Sequence, residues 1–412
     1  MSKKSSFWRT LCICLSAVML ITLVSCNGPA SSNPSGASSS GGSGQGSTGS
    51  EDDADNFDGE IVIGACSDLT GSGASNGEGE ANAYQMIADE INANGGVLGK
   101  KLVINMEDTN GTSEGAVNAM NRQVSNPDVV AVLGFMYSTQ VMAVADIAEE
   151  ANMPLLYGGS SPSINELNNP YLFRMRPADD LVVELAMDYV VENYKPTKLG
   201  ILHSMDDYGT QGSSIAAAYC EEIGLEYVSD GFVDGTKDFY SNILKLKDAG
   251  CDAMLWWAHE EELAIITRQR LELEYDVPIF GCSGLGDVKY TSLITNNDMC
   301  EGLMGIAEAA EGNTWEPYVN FSEKYQAEFG EVPNNNISGL GPAVYLLADA
   351  IERAGTTEPE ALCEALRETR DFASLSGLLT CDDQQNLSHS SVIFRMTDGQ
   401  REFVELITRE VE

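Results

Sequence analysis

The fold of this chain is indicated first by residues 90–102, which read EINANGGVLGKKL. Across residues 80–93, apolar side chains recur at three- and four-residue spacing, and this spacing predicts an amphipathic helix. Asn94-Gly95-Gly96 predicts its end, because glycine readily adopts the left-handed backbone of a helix C-cap. The apolar residues 102–106 then predict a β-strand. The stretch therefore predicts one helix-to-strand unit of an α/β fold.

Short apolar runs alternate with longer amphipathic segments on both sides of this unit, a pattern typical of strands and crossover helices in a parallel sheet. Strands of a first unit are predicted at residues 61–65, 102–106, 129–133 and 154–157, and those of a second unit at residues 198–203, 225–233, 252–258, 277–281 and 302–306. Helices are predicted at residues 316–329, 342–354 and 359–369, and closing strands at 392–396 and 403–407. The predicted fold class is α/β, with two doubly wound parallel-sheet lobes.

Small and hydroxyl residues follow several of the predicted strands, at residues 66–68, 134–138, 158–161, 203–208 and 281–284. Ligands of open α/β sheets bind at the carboxyl ends of the strands. Helices that begin there offer unpaired N–H groups, which suit a carboxylate. Two such sheets that face one another would form a ligand cleft lined from both sides.

Residues 1–26 are typical of a bacterial lipoprotein signal peptide. Three basic residues come before an apolar run at residues 11–24, which is too short for a comfortable membrane span. The segment ends at Cys26, the candidate for lipidation. A plain secretory signal or a short anchor helix is the alternative. The expected location is extracytoplasmic, lipid-anchored at the cell membrane.

Residues 27–56 are dominated by Ser and Gly and predict a flexible tether. The chain carries a formal net charge of −40. So acidic a protein is a poor partner for nucleic acid or anionic phospholipid. The part of the chain after the signal is longer than one compact unit usually is, and this length also favours two lobes.

The chain has ten cysteines, and seven remain when Cys12, Cys14 and Cys26 are set aside. A short disulfide loop between Cys363 and Cys381 is one possibility, and buried free thiols are the alternative. The chain has only three histidines, so it offers few imidazole ligands for a zinc cluster. The sequence contains no nucleophile elbow, zinc-protease helix or P-loop. It therefore predicts neither an enzyme nor a cofactor or metal site.

Further motifs stand in a characteristic order along the chain. They are Leu69-Thr70-Gly71, the stretch at 90–102, Asp207-Tyr208-Gly209, Lys237-Asp238-Phe239 and Glu301-Gly302. In these motifs and their spacing, residues 58–412 resemble the substrate-binding proteins of branched-chain amino acid ABC importers, the leucine/isoleucine/valine-binding family. The resemblance implies a type I periplasmic binding protein fold.

That fold implies two lobes joined by a three-crossover hinge, which closes on a ligand in the cleft between them. The N-terminal lobe is expected at residues 58–177 and 308–386, and the C-terminal lobe at residues 178–307 and 387–412. The hinge is expected near residues 176–177, 306–308 and 385–388.

The resemblance also implies ligand contacts in the N-terminal lobe. Ser138, with Thr139 beside it, would hold the ligand carboxylate, while a plain N-cap role for Ser138 is the alternative. The residues Gly159, Ser160 and Ser161 would offer backbone and hydroxyl groups to the carboxylate and ammonium ends, or they form a simple turn of small residues.

Other implied contacts involve larger side chains. Tyr208 would close over the ligand from the second lobe, and Asn76 stands where relatives line the pocket. Trp257 and His259 stand where relatives carry other residues; they would shape an unusual pocket, unless the tryptophan belongs to the core. Ser283 occupies a position where relatives present an acid to the ligand ammonium, so one charge-assisted contact is missing.

Two interpretations of Ser283 remain open. Another acid takes the place of the missing one, with Glu260, Glu261, Glu262 and Asp287 as candidates, or the ligand lacks an ammonium group.

The sequence thus predicts an extracytoplasmic solute-binding lipoprotein that captures a small, amino-acid-like molecule. It is expected to be a monomer that delivers the ligand to an ABC permease and ATPase complex. The alternative is an extracytoplasmic sensor that signals to a membrane receptor and binds an amide, a urea or an aromatic acid.

Overall fold

The computed structural model describes residues 57–71 and 73–409. The predictions for the signal segment, for Cys26 and for the tether at 27–56 lie outside the described residues. Within the described part of the chain, no helix is both long enough and apolar enough to cross a membrane.

Fourteen strands form the sheets of the described chain. They are β1 (Glu60–Ser67), β2 (Lys101–Asp108), β3 (Val129–Gly134), β4 (Leu155–Tyr157), β5 (Leu172–Arg174), β6 (Lys198–Ser204), β7 (Glu226–Phe232), β8 (Ala253–Trp257), β9 (Ile279–Gly281), β10 (Met304–Ala307), β11 (Phe372–Ser374), β12 (Gly377–Leu379), β13 (Ser390–Thr397) and β14 (Gln400–Thr408).

The first sheet has the strand order β2-β1-β3-β4-β5 and is parallel throughout. The second has the order β14-β13-β10-β9-β8-β6-β7; its β6 to β10 strands are parallel, and β13 and β14 add an antiparallel edge. Strands β11 and β12 form a separate short hairpin.

Twelve α-helices occur among the described residues. They are α1 (Ala74–Ala93), α2 (Ser113–Ser125), α3 (Ser138–Glu150), α4 (Asp179–Asn193), α5 (Asp207–Ile223), α6 (Tyr240–Asp248), α7 (Glu260–Glu272), α8 (Val288–Leu293), α9 (Glu316–Phe329), α10 (Asn335–Leu340), α11 (Ala343–Ala354) and α12 (Pro359–Arg367).

Each sheet has its own hydrophobic core. Helices α9, α11 and α12 pack with the first sheet, although they follow β10 of the second. Strand β13 returns to the core of the second sheet. The chain therefore passes between the two lobes three times, after β5, after β10 and before β13. The predicted fold class, two parallel-sheet α/β lobes with a three-crossover hinge, is confirmed.

The seven described cysteines are all buried and free, so the disulfide considered between Cys363 and Cys381 is wrong. Both thiols lie in the core of the first lobe, at 1% and 3% exposure. Burial raises the pKa of Cys363 to about 11 and that of Cys381 to about 12. These cysteines act as small apolar side chains.

Candidate ligand-binding cleft

A cleft lies between the lobes where the carboxyl ends of β3, β4, β6, β8 and β9 meet. Its wall is formed by Met136, Tyr137, Ser138, Thr139, Ser160, Arg176, Asp206, Tyr208, Ala258, His259, Glu260, Ser283, Gly284, Asn335 and Asn336. Six of the predicted ligand contacts are in this set: Ser138, Thr139, Ser160, Tyr208, His259 and Ser283. Their ligand-binding role stays a prediction, but the fold brings them together.

Ser138 begins helix α3 directly after the turn that follows β3. This turn is tight: Gly134 has φ +139°, and a Cβ there would lie 2.1 Å from the Cys66 carbonyl oxygen. The Ser138 Oγ accepts a hydrogen bond from the Ser161 N–H at 3.1 Å, so its own hydroxyl hydrogen remains available. The first N–H groups of α3 have no acceptor within the helix. This corner of the cleft can therefore bind a carboxylate.

Of the other predicted residues of this lobe, Thr139 and Ser160 line the cleft, whereas Gly159 and Ser161 contact Ser138 and are absent from the cleft wall. Ser161 is fully buried and is absent from the cleft wall. A Cβ on Gly159 would lie 3.0 Å from Ser138 Cα, so a small residue is required there. The Ser160 hydroxyl donates to Asp179 Oδ2 at 3.1 Å, which leaves its oxygen as an acceptor.

The opposite wall is aromatic. Tyr208 lies in the first turn of α5, and its ring centroid is 5.4 Å from that of His259. His259 also meets Tyr137 of the first lobe edge-on at 5.4 Å, so the two lobes touch across the cleft. Trp257 lies behind Tyr208 at 5.9 Å and is only 1% exposed. Trp257 is therefore a core residue that supports Tyr208.

An ion pair lies in this wall. His259 Nε2 is 2.5 Å from Asp206 Oδ2. Burial opposes the charged imidazole, but the hydrogen bond and charge of Asp206 outweigh it and raise the pKa of His259 to about 9. Asp206 also caps α5 by accepting the Gly209 N–H at 2.8 Å.

A guanidinium reaches the cleft from the hinge. Arg176 lies on the crossover after β5 and forms a buried ion pair with Glu308, on the crossover after β10. Its Nη2 donates to the Ser283 hydroxyl at 3.0 Å. The position of the missing acid is thus occupied by a serine with a cation beside it.

Asn76 is buried in α1 and is absent from the cleft wall; its Oδ1 accepts from Asn334 Nδ2 at 3.1 Å. Conversely, sequence reasoning missed Tyr137, Asp206, Asn335 and Asn336. Two local signals existed: Tyr137 and Asp206 fall in the post-strand segments 134–138 and 203–208, and Asp206 is an N-cap residue type three positions before Gly209. Among the described residues, no group of three or more His, Cys, Asp or Glu side chains could hold a metal ion.

Two facing α/β lobes with a polar and aromatic cleft at their strand ends define a class of proteins that bind small solutes by closing around them. The periplasmic binding protein family matches residues 60–401. The chain belongs to this family, and membership implies an extracytoplasmic location. The resemblance predicted from the sequence motifs is confirmed.

Several relatives resemble nearly the whole chain. The Leu/Ile/Val-binding protein BraC3 of Rhizobium johnstonii is 27% identical over 338 residues, which cover 81% of this chain and 90% of the relative. An amino acid binding protein of Pseudomonas aeruginosa is 29% identical over 349 residues, with 84% and 92% covered.

Solved structures show the same fold. The branched-chain amino acid transporter substrate-binding protein LivJ of Streptococcus pneumoniae, in complex with isoleucine, superposes with a TM-score of 0.77 at 24% identity, covering 85% of this chain and 99% of that one. The leucine-binding protein LivK of Thermotoga maritima gives a TM-score of 0.78 at 24% identity, with 84% and 99% covered.

Proposed function

We propose that this protein is an extracytoplasmic solute-binding lipoprotein of an ABC importer. It captures a small amino-acid-like ligand by hinge closure and hands it to a membrane permease and ATPase complex. The observation that carries the proposal is the cleft itself: a carboxylate-binding corner at the start of α3 faces the Tyr208–His259 wall of the other lobe.

Binding would proceed from one lobe to the other. The ligand carboxylate first meets the Ser138 hydroxyl and the free N–H groups of α3. Closure then brings Tyr208 and His259 over the ligand and removes water from it. Because each lobe supplies only part of the site, the ligand favours the closed arrangement over the open one.

The names of the relatives support this proposal, since they describe proteins that bind leucine, isoleucine, valine or other amino acids. We extend the proposal to the N-terminal segment: a signal at residues 1–26, lipid on Cys26, and a tether at 27–56 that lets a monomeric binding unit reorient near the membrane.

A thermal-shift screen tests the ligand class. The purified protein, unfolded and refolded to remove any carried ligand, is screened against amino acids, amides, ureas and aromatic acids. A ligand at about 100 times its Kd adds roughly 2.7 kcal/mol to the free energy of unfolding. We expect a rise in Tm with at least one amino acid. A rise only with ligands that lack an α-ammonium contradicts the amino acid assignment.

Ser138→Ala tests the site. Loss of its hydrogen bond should weaken binding of the ligand found in the screen by about fivefold or more. Ser292→Ala, on the exposed face of α8, is the matched control and should leave affinity unchanged. If Ser138→Ala stays within about twofold of the wild type, the assignment of the carboxylate corner is wrong.

Experiments in cells test delivery of the ligand to the permease and anchoring of the protein to the membrane. Deletion of the gene should abolish uptake of the same radiolabelled ligand, and Cys26→Ala should move the protein from the membrane fraction to a soluble one. Unchanged uptake in the deletion strain would contradict the importer role.

A further inference from the structure

The cleft contains one carboxylate without a partner. Glu260, the first residue of α7, lines the cleft and also a neighbouring cavity, which shares Tyr137, Thr139, Asp206 and His259 with it. Among the described residues, its carboxylate makes no hydrogen bond and no ion pair. The other acid of the cleft wall, Asp206, is already engaged by His259, the Gly209 N–H and the Ser204 hydroxyl.

The neighbouring acids are committed elsewhere. Glu261 forms an ion pair with Lys237 at 2.5 Å. Glu262 is buried and accepts the Gly235 N–H at 3.2 Å. Asp287 is buried beside Arg401, at 3.9 Å, and lines a different cavity. Of the four candidates considered from sequence, only Glu260 is both in the cleft wall and unpaired.

Glu260 also lies beside the turn that contains Ser283. A Cβ placed on Gly284 would lie 3.4 Å from the Glu260 backbone nitrogen, so Glu260 packs against the turn that contains Ser283. Burial, followed by the negative charge of Glu260, raises the pKa of Tyr137, which precedes Ser138 in the opposite lobe. Glu260 therefore lies within electrostatic range of the residue that precedes Ser138, the corner where a ligand carboxylate would bind.

The immediate surroundings of Ser283 do not suit a ligand ammonium. Arg176 Nη2 donates to the Ser283 hydroxyl at 3.0 Å, which places a guanidinium there. An ammonium beside it would be repelled. On the other side of the same turn, the Glu260 carboxylate lies within electrostatic range of His259 and Arg401 but forms no hydrogen bond or ion pair with any described residue, so it can still accept an ammonium.

We propose that Glu260 receives the ammonium of the ligand, so that the cleft is selective for zwitterionic α-amino acids over carboxylates, amides and ureas that lack the amine. This inference rests on the proposed function. A zwitterion places its carboxylate on Ser138 and α3 and its ammonium on Glu260. When the lobes close on a ligand without the amine, the Glu260 carboxylate would lose water and gain no partner, which is costly.

The test compares ligands that differ only in the amine. Isothermal titration of the purified full-length wild type with the twenty L-α-amino acids identifies the tightest binder, and its 2-hydroxy acid is the paired probe. We expect the wild type to prefer the amino acid by roughly 10- to 100-fold. Glu260→Gln should reduce that preference to within about threefold by weakening the amino acid alone.

Glu261→Gln is the matched control, since it removes the same charge from the same helical turn. It should leave the preference unchanged, and Glu260→Asp should retain part of it. A Glu260→Gln variant that folds with the wild-type Tm and keeps the full preference overturns the inference while leaving the proposed function intact. If the wild type binds none of the twenty amino acids, the proposed amino acid ligand fails, and this inference fails with it.

Discussion

His259 is a residue whose charge is fixed by its partner in the cleft wall. Burial disfavours the imidazolium, yet the hydrogen bond and charge of Asp206 raise its pKa to about 9, with further help from Glu260 and Glu262. The same pair holds the pKa of Asp206 well below its usual value, despite burial. At neutral pH the cleft therefore presents an ion pair, not a neutral imidazole.

A pH dependence follows. The pKa of His259 is about 9 in the folded protein and about 6.5 in the unfolded chain, so the pair stabilises the fold fully below pH 6.5 and loses this contribution as the pH rises through 9. Asp206→Asn retains a helix-capping side chain but should lower the pKa of His259 and flatten the fall of Tm over that range. NMR titration of the three histidines measures the pKa of His259, and the variants His203→Gln and His389→Gln assign the signals. A wild-type His259 that titrates near pH 6.5 contradicts the ion pair.

At this scale the sequence predicted part of the cleft. Ser138 and His259 come within four residues of strand ends, where parallel sheets collect ligand contacts. Trp257 is still within β8, so it packs in the core instead of reaching the cleft. Asn76 is engaged by Asn334, more than 250 positions away along the chain, and no local pattern signals such a contact.

Among the elements, α1 shows where periodicity fails. The helix begins at Ala74, before the predicted residue 80. Its first turns contain glycines instead of apolar residues: a Cβ on Gly77 would lie 2.3 Å from the Asp68 carbonyl oxygen. Close backbone approach, and not an apolar stripe, packs this end of the helix, and hydrophobic spacing cannot detect it.

Helix α5, which carries Tyr208, depends on similar close packing. A Cβ on Gly212 would lie 2.3 Å from the ring of Trp257, which is buried and has little room to move. Gly212→Ala should therefore lower the free energy of unfolding by about 1–3 kcal/mol, more than the helix gains from alanine. It should also weaken ligand binding, because the helix that carries Tyr208 is displaced.

Denaturant unfolding and titration calorimetry measure both effects of Gly212→Ala. Ser214→Ala, on the exposed face of the same helix, is the control and should change stability by less than about 0.5 kcal/mol. An unchanged Cm for Gly212→Ala would mean that α5 and Trp257 adjust to each other without cost.

At the scale of the molecule, the two sheets were predictable because each strand and the helix that follows it can be predicted from their own short stretch of sequence. The strand β5 was missed, since Arg174 follows only two apolar residues in it and so short an apolar run does not signal a strand. The contact that joins two crossovers, Arg176 with Glu308, spans 132 positions and depends on the assembled fold. It connects the segments about which the lobes would move.

Because both side chains of this pair are nearly buried, at 9% and 5% exposure, their removal should be strongly non-additive. Glu308→Gln leaves the Arg176 guanidinium buried without a counter-charge. It should lower the free energy of unfolding by roughly 3–5 kcal/mol. In the double variant Arg176→Met with Glu308→Gln, no charge is left to desolvate, and most of that loss should be recovered. Denaturant unfolding of the four proteins in this cycle gives the coupling free energy directly.

The exposed pair Arg353–Asp349, within one helix, is the control for this cycle. Asp349→Asn should lower the free energy of unfolding by no more than about 0.5 kcal/mol. If Glu308→Gln lowers the free energy of unfolding by as little as that, water reaches Arg176 at the hinge. In that case the guanidinium beside Ser283 would be hydrated, its repulsion of a ligand ammonium would be weak, and Glu260 would have to account for the selectivity alone. A large cost and a recovered double variant instead support a dry hinge, in which Arg176 and Glu260 together determine where the ammonium can lie.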